Sequence, residues 1–536
     1  MQLTYTGKRF ELYVPYADRE LASDKGLRWD KRAKRWVTLL PQVVVPYYAV
    51  ADASAKAQID ASNLIVARSS QLIFSDWTPP APPGVAYLPF QPAATAFSVE
   101  RENTLNADQP GLGKTIEAIG HINAHPHIKR VAICTKASLK INWQRELETW
   151  LIHDLPSGIA SRKLWPSTPI IIFNYEAAVE LAEMLDAVKW NLIIFDESHF
   201  LKNAASKRTQ ALLGLEERKK VIIPPLRAEQ RLFLTGTPID RRPIDLWTTV
   251  HACDPQGLGA SRSAFAERYC GAGFTPFGWT EDGATNLEEL QRNLRASCMV
   301  RRLKKDALPW LPAKRRQIIP IEPGAVAPLI NRELELYNRN ENAVDEVRRQ
   351  VEKEQREGDQ ASYKQAGHSL RENLKVLFSE MSALRHQTGI AKLPAMFSMI
   401  QDILEETDKL VVFAHHIDVI EALHRNFERS VTHYGGNKNN QESVDFFQRH
   451  PECNLFIGAI TGAVGYTVTA ASRALFVEYD WRASVMEQAE DRLHRIGQTA
   501  KDAVLYQYLV YDRSIEVRQI KRIIKQIEVE EKALNV

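Results

Sequence analysis

Over the first fifty positions apolar and polar residues alternate, with Phe10, Leu12 and Val14 on one side of an extended chain. This period of two predicts a small β-rich module over 1–50. Residues 51–84 begin Ala/Ser-rich and end in Pro79, Pro80, Pro82, Pro83 and Gly84, the composition of a connector holding a short strand or helix. From 85 to 253, apolar runs at 131–134, 170–173, 192–195 and 231–234 alternate with helical periodicity. Strands buried on both faces read this way, because helices cover both sides of a parallel sheet. A second series of such runs, at 409–413, 454–457, 474–477 and 504–508, falls within 386–525. Between them, 254–385 turns polar and heavily charged, as at 333–357, and predicts a helical insertion; 526–536 predicts a helical tail. The expected fold class is therefore α/β: two parallel-sheet lobes with helical insertions behind a β-rich N-terminal module.

Composition adds few constraints. Hydrophobic residues make up 44% and charged residues 25% of 536, which excludes wholesale disorder and rod-like repeats. A net charge of +3 does not by itself mark a nucleic-acid binder, so any basic surface must be local. The five cysteines are scattered and form no C-x-x-C pair, which points to a reducing compartment and away from zinc or a disulfide framework. No stretch reaches the ~18 apolar residues of a membrane span, and the first residues lack the apolar core of a signal peptide. The cytoplasm is the expected location, with no membrane partner.

The chemistry concentrates in a few motifs. Asp108-Gln-Pro-Gly111-Leu-Gly113-Lys114-Thr115 runs directly into a helical pattern. Glycines let backbone N–H groups close on phosphate oxygens, a lysine reaches the outer phosphates, and a threonine hydroxyl can ligate magnesium. Asp108 stands where the general pattern has glycine. The apolar run ending at Phe195 leads into Asp196-Glu197-Ser198-His199. A carboxylate at a strand tip can hold magnesium, and the next can polarise the attacking water. His415, His416 and His494 match no transition-metal ligand spacing.

Further along lie Thr235-Gly236-Thr237-Pro238 and the string from Gln488 to Gln498, Q-A-E-D-R-L-H-R-I-G-Q. In order and spelling these motifs resemble those of the SWI/SNF-like ATPases of helicase superfamily 2. The spellings F-A-H-H at 413–416 and T-G-T-P-x-x-x-R-P at 235–243 are similar to the small annealing-helicase branch. The resemblance covers about 85–525. The little sequence outside the motor suggests a bacterial or phage protein. Three spellings depart from the family pattern: Gln109-Pro110 before G-L-G-K-T, Ser198 on a turn expected to face solvent, and Arg241 in the third motif.

What the resemblance implies is specific. ATP would sit between two RecA-like lobes, with Gln91 of a Q-like motif reading adenine. Gly111, Gly113, Lys114, Thr115 and Gly465 would contact the nucleotide, and Thr115 and Asp196 would hold Mg2+. Glu197 would activate water, and Arg492 and Arg495 would stabilise the transferring phosphoryl group. Thr235, Gly236 and Thr237 would couple the parts. Lys202, Asn203, Thr461, Gly462, Arg301 and Arg302, the last two in a basic bridge between lobes, are candidate DNA contacts; the segment around Asn142, Trp143 and Glu146 resembles motif Ia. The implied function is a DNA-dependent ATPase that translocates on duplex or forked DNA and remodels or anneals it. A strand-separating helicase and the motor of a larger defence or protein-displacing assembly remain alternatives, and a protein partner is left open.

The N-terminal module carries nine basic residues against five acidic over 1–50, interleaved with Tyr13, Tyr16, Trp29 and Trp36. Cations with aromatic platforms suit single strands and junctions, so this module is a candidate for targeting DNA. A small aromatic core with a soluble rim is the competing reading.

Overall fold

The computed structural model describes residues 1–74, 76–217, 220–239, 242–275, 278–339, 380–437, 439–462 and 465–534. Most of the charged stretch expected to be helical at 333–357, and Arg241 of the third motif, lie outside them. The chain forms two compact units, one built on Met1–Pro309 and the other on Trp310–Lys532.

In the first unit the N-terminal residues form a four-stranded antiparallel sheet in the order Gln2–Tyr5, Phe10–Tyr13, Arg35–Thr38, Arg28–Asp30. Leu3, Phe10, Leu12, Leu27 and Val44 make its core, together with Ala55 and Ile59. Those last two sit on the helix Ala53–Arg68, capped by Asp52, whose side chain accepts from Ala55 N. The stretch expected to be mainly a connector thus supplies a full helix to the module's core.

The main sheet of this unit has seven strands, all parallel, in the order Met299–Val300, Asn103–Asn106, Ala228–Leu234, Trp190–Asp196, Val131–Thr135, Ile170–Asn174, Ser157–Ile159. Every run read as a buried strand is present. The boundary expected at 253 is displaced, however. Leu290, Leu294, Cys298 and Met299 belong to the core under this sheet, and Met299–Val300 extends its edge. The apolar positions of the helix Leu287–Ser297, spaced four apart, cover the first sheet instead of standing in a separate insertion.

The second unit has six strands, again all parallel, in the order Ala313–Ile321, Ala503–Tyr511, Arg473–Phe476, Leu410–Ala414, Leu455–Ala459, Ser430–His433. Its core gathers Val411, Phe413, Phe456, Phe476 and Tyr508 on one face and Ile400, Val412, Ile457 and Leu475 on the other. This unit begins at Trp310, well before the expected 386, because Ala313–Ile321 pairs with Ala503–Tyr511 over nine residues. Two parallel α/β lobes with a β-rich N-terminal module are the observed architecture. Among the described residues no helix is long and apolar enough to cross a membrane.

Candidate nucleotide site

Register brings the first-lobe motifs together. Asn106, Leu234 and Asp196 are level with one another on three neighbouring strands. The phosphate-type loop, the Thr235 motif and the acidic box therefore leave the sheet side by side at its carboxyl edge, where open α/β sheets bind ligands. Gly111 and Gly113 have φ of 88° and 90°, a left-handed backbone that glycine adopts without a Cβ penalty. Gly113 caps the helix Lys114–Asn123, so N–H groups and the positive end of the helix dipole face the loop. Lys114 Nζ donates to the carbonyls of Asp108 at 2.7 Å and Gln109 at 3.4 Å. Burial pushes its pKa down, against the opposing pull of the Glu197 and Asp108 charges.

Asp196 ends its strand 8% exposed. Thr135 Oγ1 and Trp143 Nε1 each donate to its Oδ2 at 2.8 Å, and Tyr175 OH donates to its carbonyl at 2.8 Å. Both side-chain bonds fall on Oδ2, which orients the carboxylate. Burial, and then the adjacent Glu197 charge, raise its pKa. Glu197 itself stands in the left-handed region at φ 53°, a costly conformation for a non-glycine residue that surroundings must enforce. His199 Nδ1 lies 3.3 Å from Glu197 Oε2 and 3.4 Å from Thr235 Oγ1, and Thr237 N donates to that same Thr235 oxygen at 3.2 Å. The histidine thus joins the acidic box to the third motif. Gly236 lies against the loop: a Cβ there would come within 2.5 Å of Pro110 Cγ.

Four expectations change. Gln91 is 1% exposed; its amide accepts from Leu88 N at 2.9 Å and donates to the Leu112 carbonyl at 3.1 Å. In this conformation it braces the loop from beneath. Ser198 faces inward at 1% exposure, and its hydroxyl has no hydrogen-bond partner; the left-handed turn at Glu197 rotates it off the surface. Arg301 and Arg302 do not lie on the surface. They are 4% and 2% exposed because the strand Met299–Val300 carries them into the first lobe. Arg301 Nη1 donates to the Ala107 carbonyl at 2.7 Å, and Arg302 is ion-paired to Asp108 and, at 3.0 Å, to Glu117. Burial and the Asp108 charge hold Glu117 well above the usual carboxylate range.

Of the remaining candidates, Lys202 keeps a third of its side chain exposed, 3.9 Å from Asp245. Asn203 is exposed and accepts from Ala205 N at 2.9 Å. In the second unit Thr461 is exposed in the turn Ile460–Gly462, and Gly465 has φ 91°. Arg492 and Arg495 converge there: each donates to the Tyr466 carbonyl at 3.3 Å, and Arg495 also to Thr467 Oγ1 at 2.8 Å. Nothing local in the sequence assigns these roles to Thr135, Trp143, His199 and Arg302. A tryptophan on an amphipathic helix or an arginine in a charge run carries no local sign of its distant partner.

The donor set suits a hard divalent cation. Two adjacent carboxylates leave a strand tip level with the phosphate loop, whose helix opens with Lys114 and Thr115, and Mg2+ is commonly held by one or two carboxylates plus phosphate oxygens. Among the described residues no group of three or more His, Cys, Asp or Glu side chains could hold a metal on its own.

Residues 57–387, more than half of the chain, match the SNF2-related domain, and 395–497 match the helicase conserved C-terminal domain. Among curated relatives, the SWI/SNF-related matrix-associated actin-dependent regulator of chromatin subfamily A-like protein 1 of Xenopus tropicalis is 30% identical over 79% of this chain and 42% of its own length. Human DNA annealing helicase and endonuclease ZRANB3 is 30% identical over 80% of this chain and 38% of its own. The chain thus spans about two fifths of the length of these relatives. The SWI2/SNF2 ATPase core of Sulfolobus solfataricus, solved in complex with dsDNA, aligns over 87% of this chain and 96% of its own, at 21% identity and a TM-score of 0.39.

Proposed function

Because this chain belongs to the SNF2-related domain family, we propose that it is a helicase-type, DNA-dependent ATPase that hydrolyses Mg2+-ATP and translocates on duplex or forked DNA. The observation that carries the reading is the shared level of Asn106, Leu234 and Asp196, which sets a phosphate loop, a paired carboxylate and a polar sensor side by side. Lys114 would bind the outer phosphates, with Thr115 and Asp196 holding the magnesium that screens their charge. Glu197 would orient and deprotonate the attacking water. His199 would report the state of that carboxylate to Thr235. Arg492 and Arg495, already gathered on the Tyr466 carbonyl, would stabilise charge on the transferring phosphoryl group, a contribution of about 10³ to 10⁵ in rate where arginine fingers act. A DNA duplex that binds the hydrolysing state better than the resting state raises the rate by differential affinity. Lys202, Asn203 and Thr461 are the proposed backbone contacts, which position the strand without reading its sequence. Relatives named for DNA annealing favour rewinding of branched DNA as the motor's use.

The test is ATP hydrolysis by the purified chain with single-stranded, duplex and forked DNA, against Lys114→Ala. Stimulation by duplex or forked DNA is expected, with a loss on the order of 10²- to 10³-fold in the variant, as for other removed electrostatic clamps. Hydrolysis indifferent to every DNA would sink the translocase reading.

A further inference from the structure

The basic segment expected to face DNA is gripped at both ends by nucleotide-site motifs. At its start the backbone continues the edge of the first sheet alongside the phosphate loop. Ala107 N donates to the Val300 carbonyl at 2.8 Å, Gln109 N to that of Arg302 at 3.2 Å, and Lys304 N to Gln109 Oε1 at 2.6 Å. The Arg302 side chain has no exposed surface; its Nε donates to Asp108 Oδ1 at 3.2 Å and its Nη2 to Glu117 Oε1 at 3.0 Å. Arg301 reaches from the Ala107 carbonyl to that of Gly236, at 2.7 and 3.5 Å. One stretch thus holds the first residue of the phosphate loop, the helix behind it and the third motif.

At its other end the same stretch holds the C-terminal end of the helix Ala483–Glu490, just before the turns that carry the arginines. Lys314 and Arg316 alternate on the strand Ala313–Ile321 and so share a face. Lys314 Nζ lies 3.1 Å from Glu490 Oε2 and 2.7 Å from Asp491 Oδ1, and Arg316 Nε lies 2.6 Å from Glu490 Oε1. Tyr508 OH donates to Glu490 Oε1 at 2.6 Å, which leaves that carboxylate wholly buried two residues before Arg492. His494 Nε2 lies 2.7 Å from the Pro312 carbonyl.

We propose that residues 301–316 form an internal strap that carries the state of the phosphate loop to the turns bearing Arg492 and Arg495, with Arg302 and Arg316 as positioning residues at its ends. The proposal rests on the ATPase reading and adds a route by which nucleotide at the loop acts on the arginines. A loop that shifts on binding phosphate must shift the paired backbone at 300–304.

A strap must be taut, whereas a mere connector need not be. Inserting Gly-Ser-Gly-Ser between Pro309 and Trp310, both exposed, leaves both grips intact and lengthens only the span between them. For a connector, loop-closure entropy predicts a change of about twofold. The strap predicts that the insertion variant binds a fluorescent ATP analogue as wild type does, while kcat at saturating ATP and duplex DNA falls roughly tenfold or more. In the same assays Asp108→Asn and Arg302→Lys should raise KM for ATP roughly tenfold, and Arg316→Lys should lower kcat by a similar factor with KM unchanged. An insertion variant with kcat within about twofold of wild type overturns the strap. So do folded Asp108→Asn and Arg316→Lys variants with wild-type constants, the former covering the case in which Arg302→Lys fails to fold. If wild type hydrolyses ATP and the variants match it, the strap alone fails; if wild type binds no ATP analogue, the ATPase reading and the strap fail together.

Discussion

In the N-terminal module Tyr16 is 79% exposed, with the Arg19 guanidinium 4.2 Å from its ring centroid, whereas in the 301–316 segment the Arg302 side chain is fully buried between two carboxylates. Both stretches are rich in basic residues, and both were candidates for DNA. What separates them is where the countercharge comes from. In the module Arg9 meets Glu11 and Asp30 at 2.8 Å on the surface, and such pairs contribute little to stability. In the segment the partners of Arg302, Lys314 and Arg316 are buried acids from the phosphate loop and from the helix end just before the arginines. A run of positive charge therefore reads as a binding face only after the acids that the fold brings to it have been counted.

The contrast is sharpest for stability. Arg302→Met leaves Asp108 and Glu117 buried without their cation and should cost about 3–5 kcal/mol, read as a lower urea midpoint with the same slope. A loss below about 1 kcal/mol, no more than a typical point substitution costs, would mean that water or another cation reaches this cluster. Gly236→Ala comes next. Its new Cβ would stand 2.5 Å from Pro110 Cγ, and overpacking of this kind costs about 1–3 kcal/mol; the displaced Pro110 should also weaken ATP binding.

The two regions also differ in how far the sequence could describe them. Eight interior strands were legible because a strand buried on both faces is written as a continuous apolar run. Others were not: Asn103–Asn106, next to one edge, and the edge strand Ala313–Ile321 are mixed in character, and their places are fixed by partners far along the chain, such as Ala503–Tyr511 for the latter. The site divides in the same way. Gly111, Gly113, Lys114, Asp196 and Glu197 lie in short strings whose spacing is itself the signal. Trp143 and Thr135 hold Asp196 from 53 and 61 residues away, and Arg302 holds Asp108 from 194. No local pattern encodes such pairs, since their meaning arises only when the sheet sets the strands in register.

A pH titration separates buried from exposed groups by a smaller effect. His121 is wholly buried, its Nδ1 3.0 Å from Ser98 Oγ and its Nε2 3.0 Å from Gln230 Oε1. Burial, and then the neighbouring His125, push its pKa from 6.5 down to about 3. Below pH 6.5 the unfolded chain takes up a proton that the folded chain refuses, so this group's contribution is fully present above 6.5 and is lost as pH falls. Between pH 6.5 and 5 the loss amounts to about 2 kcal/mol. Residues 1–50 contain no histidine, so the module contributes no such effect. In His121→Gln the dependence of unfolding free energy on pH should flatten by that amount, and an unchanged slope would show that the folded protein admits the proton.

The smallest expected effect on stability falls in the module and tests its role in function. Deleting residues 1–50 would not be a clean experiment. It would uncover Ala55 and Ile59 of the helix Ala53–Arg68, and that helix leads into Ser69, whose carbonyl accepts from Arg301 N at 3.0 Å and whose hydroxyl accepts from Arg295 at 3.1 Å. Loss of DNA binding after such a deletion could reflect damage to the phosphate loop's own support. Tyr16→Ala and Trp29→Ala avoid this, because the two side chains are 79% and 49% exposed and their removal should change stability by no more than about 0.5 kcal/mol. If the module engages unpaired bases at a fork, each change should weaken binding of forked DNA by about 1–3 kcal/mol, the worth of a stacked base, and leave binding of blunt duplex unchanged. Fluorescence anisotropy with the two substrates measures both. Equal affinity of wild type and both variants for the fork would assign these aromatics to the module's rim and leave the motor's own contacts to select the DNA.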